Sequence, residues 1–385
     1  MPNPPSPIPL SGSIAAYAGY AAVRTAMAAA LLAPPRSLIR RAGALGSWYA
    51  GLGMNRKRLA RALSNIEVAF PHFTPEEVRA CAVLSYAHLF EVGAEIAYGQ
   101  RLFTEEGWAN HVSIGDVAGK VASGEERTPG GLEALLSGRP CVLITGHCGN
   151  WEVLGYSVAL LGFPVHALYR PLDARPLDRW LRSTRARTGL TLIDKFGAVN
   201  RLPALIAGGA PVAFVADQNG GDRGVFVPFF GRLTSTYKSL ALLAMQFDAA
   251  IVTGGARRVT SREEAQLRFG SALRLEKPPL YVFECSDCFS GEQWRAHSDP
   301  LFYLCARVRR GIEALVLRAP EQYLWMHRIW RSRPRHERDN KPLPDSIRGK
   351  LLELPWMTSD GVEAITERSR RDGELLKASG KQRFD

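Results

Sequence analysis

A histidine and a glutamate lie five residues apart in residues 141–155, the stretch of the chain best suited to chemistry. Residues 141–144 are apolar and rich in β-branched side chains, which is typical of a buried strand in a parallel sheet. From Trp151 onward, apolar side chains recur at helical spacing. His147 therefore lies where a strand gives way to a helix, and Glu152 lies in the first turn of that helix. In open α/β sheets, ligands bind at the carboxyl ends of the strands.

An imidazole held by a carboxylate at such a position can act as a general base. On an unbroken helix the two side chains would point apart. A break at Gly149 and a helix cap at Asn150 would let His147 fold back onto Glu152. The carboxylate would then fix the tautomer of the imidazole and stabilise its protonated form. A single histidine at a strand end is more often a structural hydrogen-bonding group, so the pair alone does not decide the function.

The whole string Gly-His-Cys-Gly-Asn-Trp-Glu, residues 146–152, resembles the His-x4-acid motif of the glycerolipid-type acyltransferases. It is most similar to the Glu form of that motif in the lipid A biosynthesis lauroyl/myristoyl transferases. Four further blocks similar to that family follow in the same order, at residues 169–171, 217–218, 225–231 and 318–327. The resemblance covers roughly residues 50–335. Cys148 departs from it, because the family more often carries an aromatic residue there.

The resemblance implies an acyltransferase without a metal, a cofactor or a covalent intermediate. Its donor would be a thioester of acyl carrier protein or coenzyme A, and its acceptor a hydroxyl of a membrane glycolipid, most often a lipid A precursor. His147, held by Glu152, would deprotonate that hydroxyl, and backbone N–H groups of residues 149–151 would stabilise the oxyanion. An acyltransferase of mannosylated phosphatidylinositol or of a lysophospholipid is the alternative. A non-catalytic membrane-surface binding protein is a third possibility, against which the intact motif argues.

Two polar residues follow another predicted strand. Residues 212–216 are apolar and lead into Asp217 and Gln218, after which the composition is that of a turn. Asp217 should therefore lie at the same sheet edge as His147. A loop aspartate often caps its own turn, but the match to the family's Asp-Gln block favours a carboxylate that organises the site or orients the acceptor. Gln218 and Asn150 are also expected to contact the substrate.

Arginines are expected to bind phosphate groups of the acceptor. Arg170 follows the predicted strand 165–169, and a guanidinium can pair a phosphate through two parallel hydrogen bonds. The family carries an active-site arginine on the next segment, where Arg185 fits the spacing best and Arg187 is second. Most other arginines of residues 175–187 should be solvated charges on a helix face.

The N-terminal region is both basic and apolar. The chain has a net charge of +12, and residues 1–66 contain eight arginines and lysines but no acidic residue. Residues 14–33 are apolar and rich in alanine, with Arg24 in the middle, whose insertion into a bilayer would cost about 2.5–3.5 kcal/mol. A helix lying in the membrane surface is therefore favoured, with the basic residues 36–61 on anionic headgroups. A buried alanine-rich helix is the alternative.

Several other classes lose support from the composition. The six cysteines do not resemble a secreted disulfide framework, and the single C-x-x-C at residues 285–288 predicts no metal site. No serine nucleophile elbow, Walker A loop or His-Glu-x-x-His motif is present. Nucleic acid is not an expected partner, because aromatic residues do not interleave the basic block. The expected location is the cytoplasmic face of the bacterial inner membrane, with attachment through the N-terminal region.

From residue 130 onward, helical and extended patterns alternate, which predicts an α/β fold with a mixed, mainly parallel sheet flanked by helices. Residues 257–259 and 266–275 look like further antiparallel strands. Residues 225–231 are apolar and aromatic, and either wall an acyl-chain groove or pack in the core. The predicted parts are N-terminal membrane-associating helices (1–62), an α/β acyltransferase domain with a helical lead-in (63–335) and a charged surface extension (336–385).

Overall fold

Strands and helices alternate through the central part of the chain, as expected. The computed structural model describes residues 14–115, 130–186, 189–194, 197–276 and 279–384. The strands are β1 (Val112–Gly115), β2 (Cys141–Thr145), β3 (His166–Tyr169), β4 (Thr191–Asp194), β5 (Val212–Val215), β6 (Val225–Phe229), β7 (Arg232–Thr236), β8 (Ala250–Arg258) and β9 (Tyr281–Phe289). The helices are α1 (Ile14–Ala30), α2 (Pro35–Ala50), α3 (Arg56–Ala69), α4 (Pro75–Leu102), α5 (Gly131–Leu136), α6 (Trp151–Leu160), α7 (Arg175–Ala186), α8 (Ala198–Ala207), α9 (Lys238–Phe247), α10 (Arg262–Phe269), α11 (Gly291–Arg295), α12 (Pro300–Arg318), α13 (Arg335–Arg338), α14 (Asp345–Leu352) and α15 (Ser359–Ser379).

Seven strands form one central sheet in the order β1-β9-β8-β2-β5-β3-β4. Neighbouring strands pair in parallel, except that β8 and β9 are antiparallel. The helices between successive strands cover the sheet, and α12 packs on β8 and β9 with most of its residues buried. The predicted fold class, a mixed and mainly parallel sheet flanked by helices, is confirmed.

The antiparallel part of the sheet differs from its prediction. Residues 250–253 and most of 257–259 belong to one strand, β8, which ends at Arg258 and whose register shifts between Thr253 and Gly254. Residues 266–275 are not a strand: they form the end of α10 and a 3₁₀ turn, Ala272–Glu276. Helix α10 forms because the Ser261 side chain caps its first turn, and it ends where Gly270 takes a left-handed conformation. The antiparallel partner of β8 is β9, a strand that the sequence pattern did not predict.

Strands β6 and β7 form a separate antiparallel hairpin that contains the apolar run 225–231. Val227 and Phe229 are completely buried in the main hydrophobic core. The turn between the strands needs left-handed backbone at Phe230 and Gly231. Of the two predictions for residues 225–231, packing in the core therefore describes Val227 and Phe229 better than the wall of an acyl-chain groove does.

Helix α4 begins at a capping box in which the Thr74 side chain accepts from the Glu77 N–H and the Glu77 carboxylate accepts from the Thr74 N–H. Within the described residues, Pro75–Gly99 is the one helical segment long and apolar enough to cross a membrane. However, Glu95 is fully buried in this helix and binds Arg258 of β8. A membrane-spanning helix would not pair its charge with the central sheet, so α4 is a helix of the protein core.

Helix α1 lies on the surface, and none of its described side chains is buried. It contacts α7, where the Arg24 guanidinium lies 5.1 Å from the ring centroid of Trp180. On α2, Leu45 and Trp48 are 51% and 62% exposed. The buried-helix alternative for the N-terminal apolar stretch therefore fails for the residues that the structure describes.

The charged surface extension predicted for residues 336–385 instead forms helices over its described residues, and α15 packs against the β6–β7 hairpin. Arg333, Glu337 and Asp372 are completely buried, and Arg232 of β7 nearly so. Asp372 accepts from Arg232 Nε at 2.7 Å and from Arg333 Nη2 at 2.9 Å, while Arg333 Nε donates to Glu337 at 2.7 Å. A charged sequence can be buried here because two cations and two anions neutralise one another.

Candidate active site

His147 and Asp217 meet at the carboxyl edge of the central sheet. Thr145 at the end of β2 pairs with Val215 at the end of β5, so the residues just beyond them are neighbours. His147 Nδ1 lies 2.7 Å from Asp217 Oδ1, and the backbone N–H of His147 donates to Asp217 Oδ2 at 3.0 Å. One carboxylate therefore holds both the ring and the backbone of the histidine.

The electrostatics of this pair suit proton transfer. The Asp217 side chain is 1% exposed and that of His147 is 16% exposed. Burial alone would raise the pKa of Asp217, but the charge and hydrogen bonds of His147 outweigh burial and lower that pKa overall. The ionised carboxylate assigns the Nδ1 proton to a neutral His147 ring, which leaves Nε2 with a lone pair. Nε2 can then accept a proton from a substrate hydroxyl.

Glu152, the predicted partner of His147, instead binds Arg185. The guanidinium of Arg185 donates from Nε to Glu152 Oε2 at 2.8 Å and from Nη2 to Oε1. Gly149 breaks the chain path in a left-handed conformation, with φ of 58°, and α6 starts after it as predicted. The loop nevertheless turns the His147 ring toward β5, where Asp217 accepts from two of its N–H groups. The sequence-based pairing of His147 with Glu152 is therefore corrected to a pairing with Asp217.

The predicted phosphate-binding arginines have different surroundings. Burial lowers the pKa of Arg185, but the charge and hydrogen bonds of Glu152 and Tyr156 together raise it overall, so this guanidinium stays charged. Its Nε and Nη2 atoms bind protein, and the expected contact of Arg185 with a phosphate stays a prediction. Arg170 is exposed at the end of β3, as predicted. Arg187 lies outside the described residues.

Asn150 is fully buried and serves the protein rather than a substrate. Its Oδ1 accepts from the N–H groups of Glu152 and Val153, both at 3.1 Å, which caps α6 as predicted. Its Nδ2 donates to Glu95 at 2.9 Å and to the Tyr281 hydroxyl at 3.1 Å. These four bonds occupy the amide, so the predicted substrate contact of Asn150 is not supported.

The loop that carries Asp217 is held by Arg309, which sequence analysis missed. Arg309 of α12 is fully buried and donates to the carbonyl groups of Asp217 at 2.6 Å and Gln218 at 2.9 Å. The side chain of Gln218 is exposed at the same edge. A signal was present in the sequence, because Arg309 lies on the apolar stripe of its helix: the stripe contains Phe302, Cys305, Arg309, Ile312 and Val316.

Two of the three N–H groups predicted to form an oxyanion hole, those of Gly149 and Asn150, are already used. Gly149 N–H donates to the Gln322 carbonyl at 2.9 Å, and Asn150 N–H donates to the Ala256 carbonyl at 2.8 Å. A Cβ atom at Gly149 would overlap that Ala256 carbonyl, so the loop fits only glycine. The backbone of residues 149 and 150 therefore fixes the loop and is not available to a substrate.

The His147 loop is covered by residues 322–327, part of the family-like block 318–327 noted in the sequence. Leu324 N–H donates to the His147 carbonyl at 3.1 Å, and Cys148 and Tyr323 form an antiparallel bridge. Helix α3 holds this segment in turn, because Asn65 donates to the Trp325 carbonyl at 2.7 Å. A boundary at residue 62 would cut through α3, which supports the site.

Comparison with known proteins gives a consistent result. A family model described as bacterial lipid A biosynthesis acyltransferase matches residues 13–332. The chain is 24% identical over 299 residues to a lipid A biosynthesis acyltransferase of Haemophilus influenzae, covering 76% of this chain and 80% of that protein. It is 29% identical over 174 residues to the lipid A biosynthesis lauroyltransferase of Escherichia coli, covering 44% of this chain and 50% of that protein. It is 28% identical over 204 residues to the palmitoleoyltransferase of the same organism, covering 52% and 59%.

Proposed function

The chain belongs to the bacterial lipid A biosynthesis acyltransferases, and on this premise we propose that it transfers a fatty acyl chain from an acyl thioester to a hydroxyl of a lipid A precursor. The proposed donor is acyl carrier protein or coenzyme A. The proposed acceptor hydroxyl lies on a hydroxyacyl chain of a phosphorylated glucosamine disaccharide. The observation that carries the proposal is the 2.7 Å hydrogen bond between His147 and Asp217 at the carboxyl edge of the sheet.

The proposed proton transfers take place between the two substrates and this pair. His147 Nε2 takes the proton of the acceptor hydroxyl while its oxygen attacks the thioester carbonyl carbon. The tetrahedral intermediate collapses, the C–S bond breaks, and the leaving thiolate takes the proton back from His147. Asp217 holds the productive tautomer and stabilises the imidazolium. A positioned general base of this kind contributes roughly 10²- to 10⁴-fold to the rate.

Glu152 has a supporting part in this proposal. Its salt bridge with Arg185 ties the first turn of α6 to α7, and both side chains are nearly buried, at 7% and 14% exposed. Breaking a buried pair leaves one uncompensated charge and is strongly destabilising. We therefore expect Glu152 to fix the helix that follows the His147 loop rather than to orient the base.

Exposed arginines near the site are proposed to bind the phosphates of the acceptor. Arg170 ends β3, and Arg179 and Arg182 are exposed on α7. Arg170 directly follows the carboxyl end of β3, and the Arg182 guanidinium lies 5.7 Å from the ring centroid of Tyr169, the last residue of that strand. Arginine pairs phosphate better than lysine does. Replacing Arg170 by lysine should therefore weaken use of a phosphorylated acceptor more than it weakens thioester hydrolysis by water.

The N-terminal helices are proposed to attach the protein to the cytoplasmic surface of the inner membrane. Helix α1 offers an exposed, alanine-rich apolar surface. On α2, exposed Leu45 and Trp48 lie close in sequence to exposed Arg40 and Arg41. Apolar side chains next to basic ones are the composition of helices that lie in a membrane interface.

An assay with purified protein tests the proposal. Wild-type protein, lauroyl-coenzyme A and a phosphorylated glucosamine disaccharide with free hydroxyacyl chains should give an acylated product detectable by mass spectrometry. His147→Ala should lower turnover at least about 10²-fold. His166→Ala, at the amino end of β3, is the matched control and should remain active. Near wild-type turnover by His147→Ala would contradict the mechanism.

A further inference from the structure

A second histidine lies against the proposed base. The ring centroids of His327 and His147 are 4.7 Å apart, with an angle of 53° between the ring planes. The ring of Trp151 packs on His147 at 4.9 Å. The mechanism proposed above uses Asp217 and His147 but gives no part to His327, although its ring is as close to the base as that of Trp151.

The position of His327 is fixed by its backbone. Its N–H donates to the Leu324 carbonyl at 3.2 Å, and its own carbonyl accepts from Asn65 Nδ2 at 2.9 Å. Leu324 in turn donates to the His147 carbonyl at 3.1 Å. The two histidines therefore belong to one hydrogen-bonded unit, and their separation does not depend on a flexible loop.

One ring atom of His327 lacks a partner. Nε2 is buried and has no hydrogen-bond partner among the described residues. Buried polar atoms are nearly always hydrogen-bonded, because an unsatisfied one is unfavourable. Packing alone therefore does not explain why an unpaired ring nitrogen of His327 lies beside the proposed base His147.

His327 is neutral near pH 7. Burial lowers its pKa to about 4, and the neighbouring His147 imidazole and the charge of Arg61 act in the same direction, while Asp217 acts in the opposite direction. A neutral imidazole can donate a hydrogen bond without repelling the imidazolium that forms on His147 during the reaction.

The tetrahedral intermediate of acyl transfer needs a hydrogen-bond donor close to the base, and the N–H groups of Gly149 and Asn150 already bind carbonyl groups. We propose that His327 is this donor: its Nε2–H binds the oxyanion that forms when the acceptor oxygen attacks the thioester carbonyl. The inference rests on the acyl transfer proposed above. The proton of the acceptor hydroxyl goes to His147, the carbonyl electron pair moves onto the oxyanion, and it returns as the C–S bond breaks. His327 keeps its proton throughout.

Two substitutions separate the hydrogen bond from the packing. His327→Phe keeps a ring against His147 but removes both nitrogens, whereas a glutamine amide in His327→Gln can place an N–H near the position of Nε2. Using lauroyl-coenzyme A and the disaccharide acceptor, we expect His327→Phe to lower kcat about 10²- to 10³-fold with KM changed less than threefold. His327→Gln should retain at least about ten times more activity than His327→Phe.

Thermal stability gives the second readout. Because His327→Phe removes a buried polar atom without a partner, its melting temperature should stay equal to that of the wild type or rise, although kcat falls. A purely structural role for the ring would lower stability and activity together in both variants. His166→Phe is the matched control and should change neither quantity.

The outcomes distinguish the two proposals. Wild-type protein without transfer activity would refute the proposed function itself. An active wild type together with a His327→Phe variant within threefold of it would refute only the assignment of His327. If His327→Phe does not fold, a His327→Gln variant as inactive as His147→Ala would equally refute it.

Discussion

The exchange of Asp217 for asparagine tests which carboxylate orients the base. The side chain of Asp217 accepts from His147 twice, through Nδ1 at 2.7 Å and through the backbone N–H at 3.0 Å. An asparagine has one acceptor and one donor in place of two acceptors. If its oxygen faces the ring, its NH₂ group meets the backbone N–H; if it is flipped, the NH₂ group meets Nδ1.

Either orientation harms the site, and the flipped one harms it more. An NH₂ group at Nδ1 forces the ring proton onto Nε2, which then cannot accept a proton from the acceptor. Loss of the productive tautomer in this way lowers kcat by about 10⁴-fold in the analogous histidine–aspartate pair of serine proteases, or about 5.5 kcal/mol of transition-state stabilisation. We expect kcat of Asp217→Asn to fall by about 10³- to 10⁴-fold, measured with purified protein under saturating donor and acceptor.

Glu152→Gln should behave differently, because its partner is Arg185. Removing one member of a buried ion pair costs about 3–5 kcal/mol of stability. For a chain of this size we expect a melting temperature lower by roughly 5 °C, and kcat at low temperature reduced less than in Asp217→Asn. Asp173→Asn, an exposed loop substitution, is the control. The reasoning is refuted if Glu152→Gln abolishes kcat at unchanged melting temperature while Asp217→Asn remains active.

Three further predictions concern the loop, the pH dependence and the membrane. Gly149→Ala should lower the free energy of unfolding by at least about 2 kcal/mol and abolish transfer, because the added Cβ clashes with the Ala256 carbonyl at a residue with left-handed backbone. Gly138 is also left-handed but has open space around it, so Gly138→Ala should lower the free energy of unfolding, measured in urea, by only about 1 kcal/mol. The free energy of unfolding should fall as the pH is lowered from 6.5 to 4. Burial lowers the pKa of both His327 and His336 to about 4 in the folded protein, so in this range their imidazoles take up protons in the unfolded chain but not in the folded one. The loss should reach about 3 kcal/mol for each histidine at pH 4, and His336→Gln should flatten the slope. Deleting residues 1–33 should move the protein from the membrane fraction to the soluble fraction while its melting temperature changes by only a few degrees; unchanged sedimentation with membranes would contradict the proposed role of α1.

Much of the fold could be predicted because its signals are local. Strand β2 and helix α6 are read from apolar spacing, and the cap at Asn150 from a single side chain. The strand ends then placed His147 and Asp217 at one edge of the sheet. Their direct pairing could not be predicted, because it depends on β2 and β5 being adjacent in the sheet, and strand order is set by packing across the whole molecule.

The supporting residues of the site were harder to predict for the same reason. Asn65 and His327 are more than 250 positions apart in the chain, and nothing near either residue indicates their 2.9 Å contact. Glu152 was given the wrong partner, because the sequence shows that Arg185 is available but not that α7 brings it to α6. Arg309 was also missed, although a charged residue on the apolar stripe of a helix indicates that its side chain is buried and bound to a polar group.

The buried network at the β6–β7 hairpin also constrains how the chain can be made. Arg232 and Asp372 pair across 140 positions of sequence. At a translation rate of about 5–20 residues per second, the ribosome adds Asp372 roughly 7–30 s after Arg232. During that interval Asp372 has not yet been synthesised, so the Arg232 guanidinium has no carboxylate of α15 to pair with. Burying an unpaired charge is strongly unfavourable. The hairpin must therefore stay solvated while the nascent chain grows, and only a chain synthesised beyond Asp372 of α15 can close this part of its core.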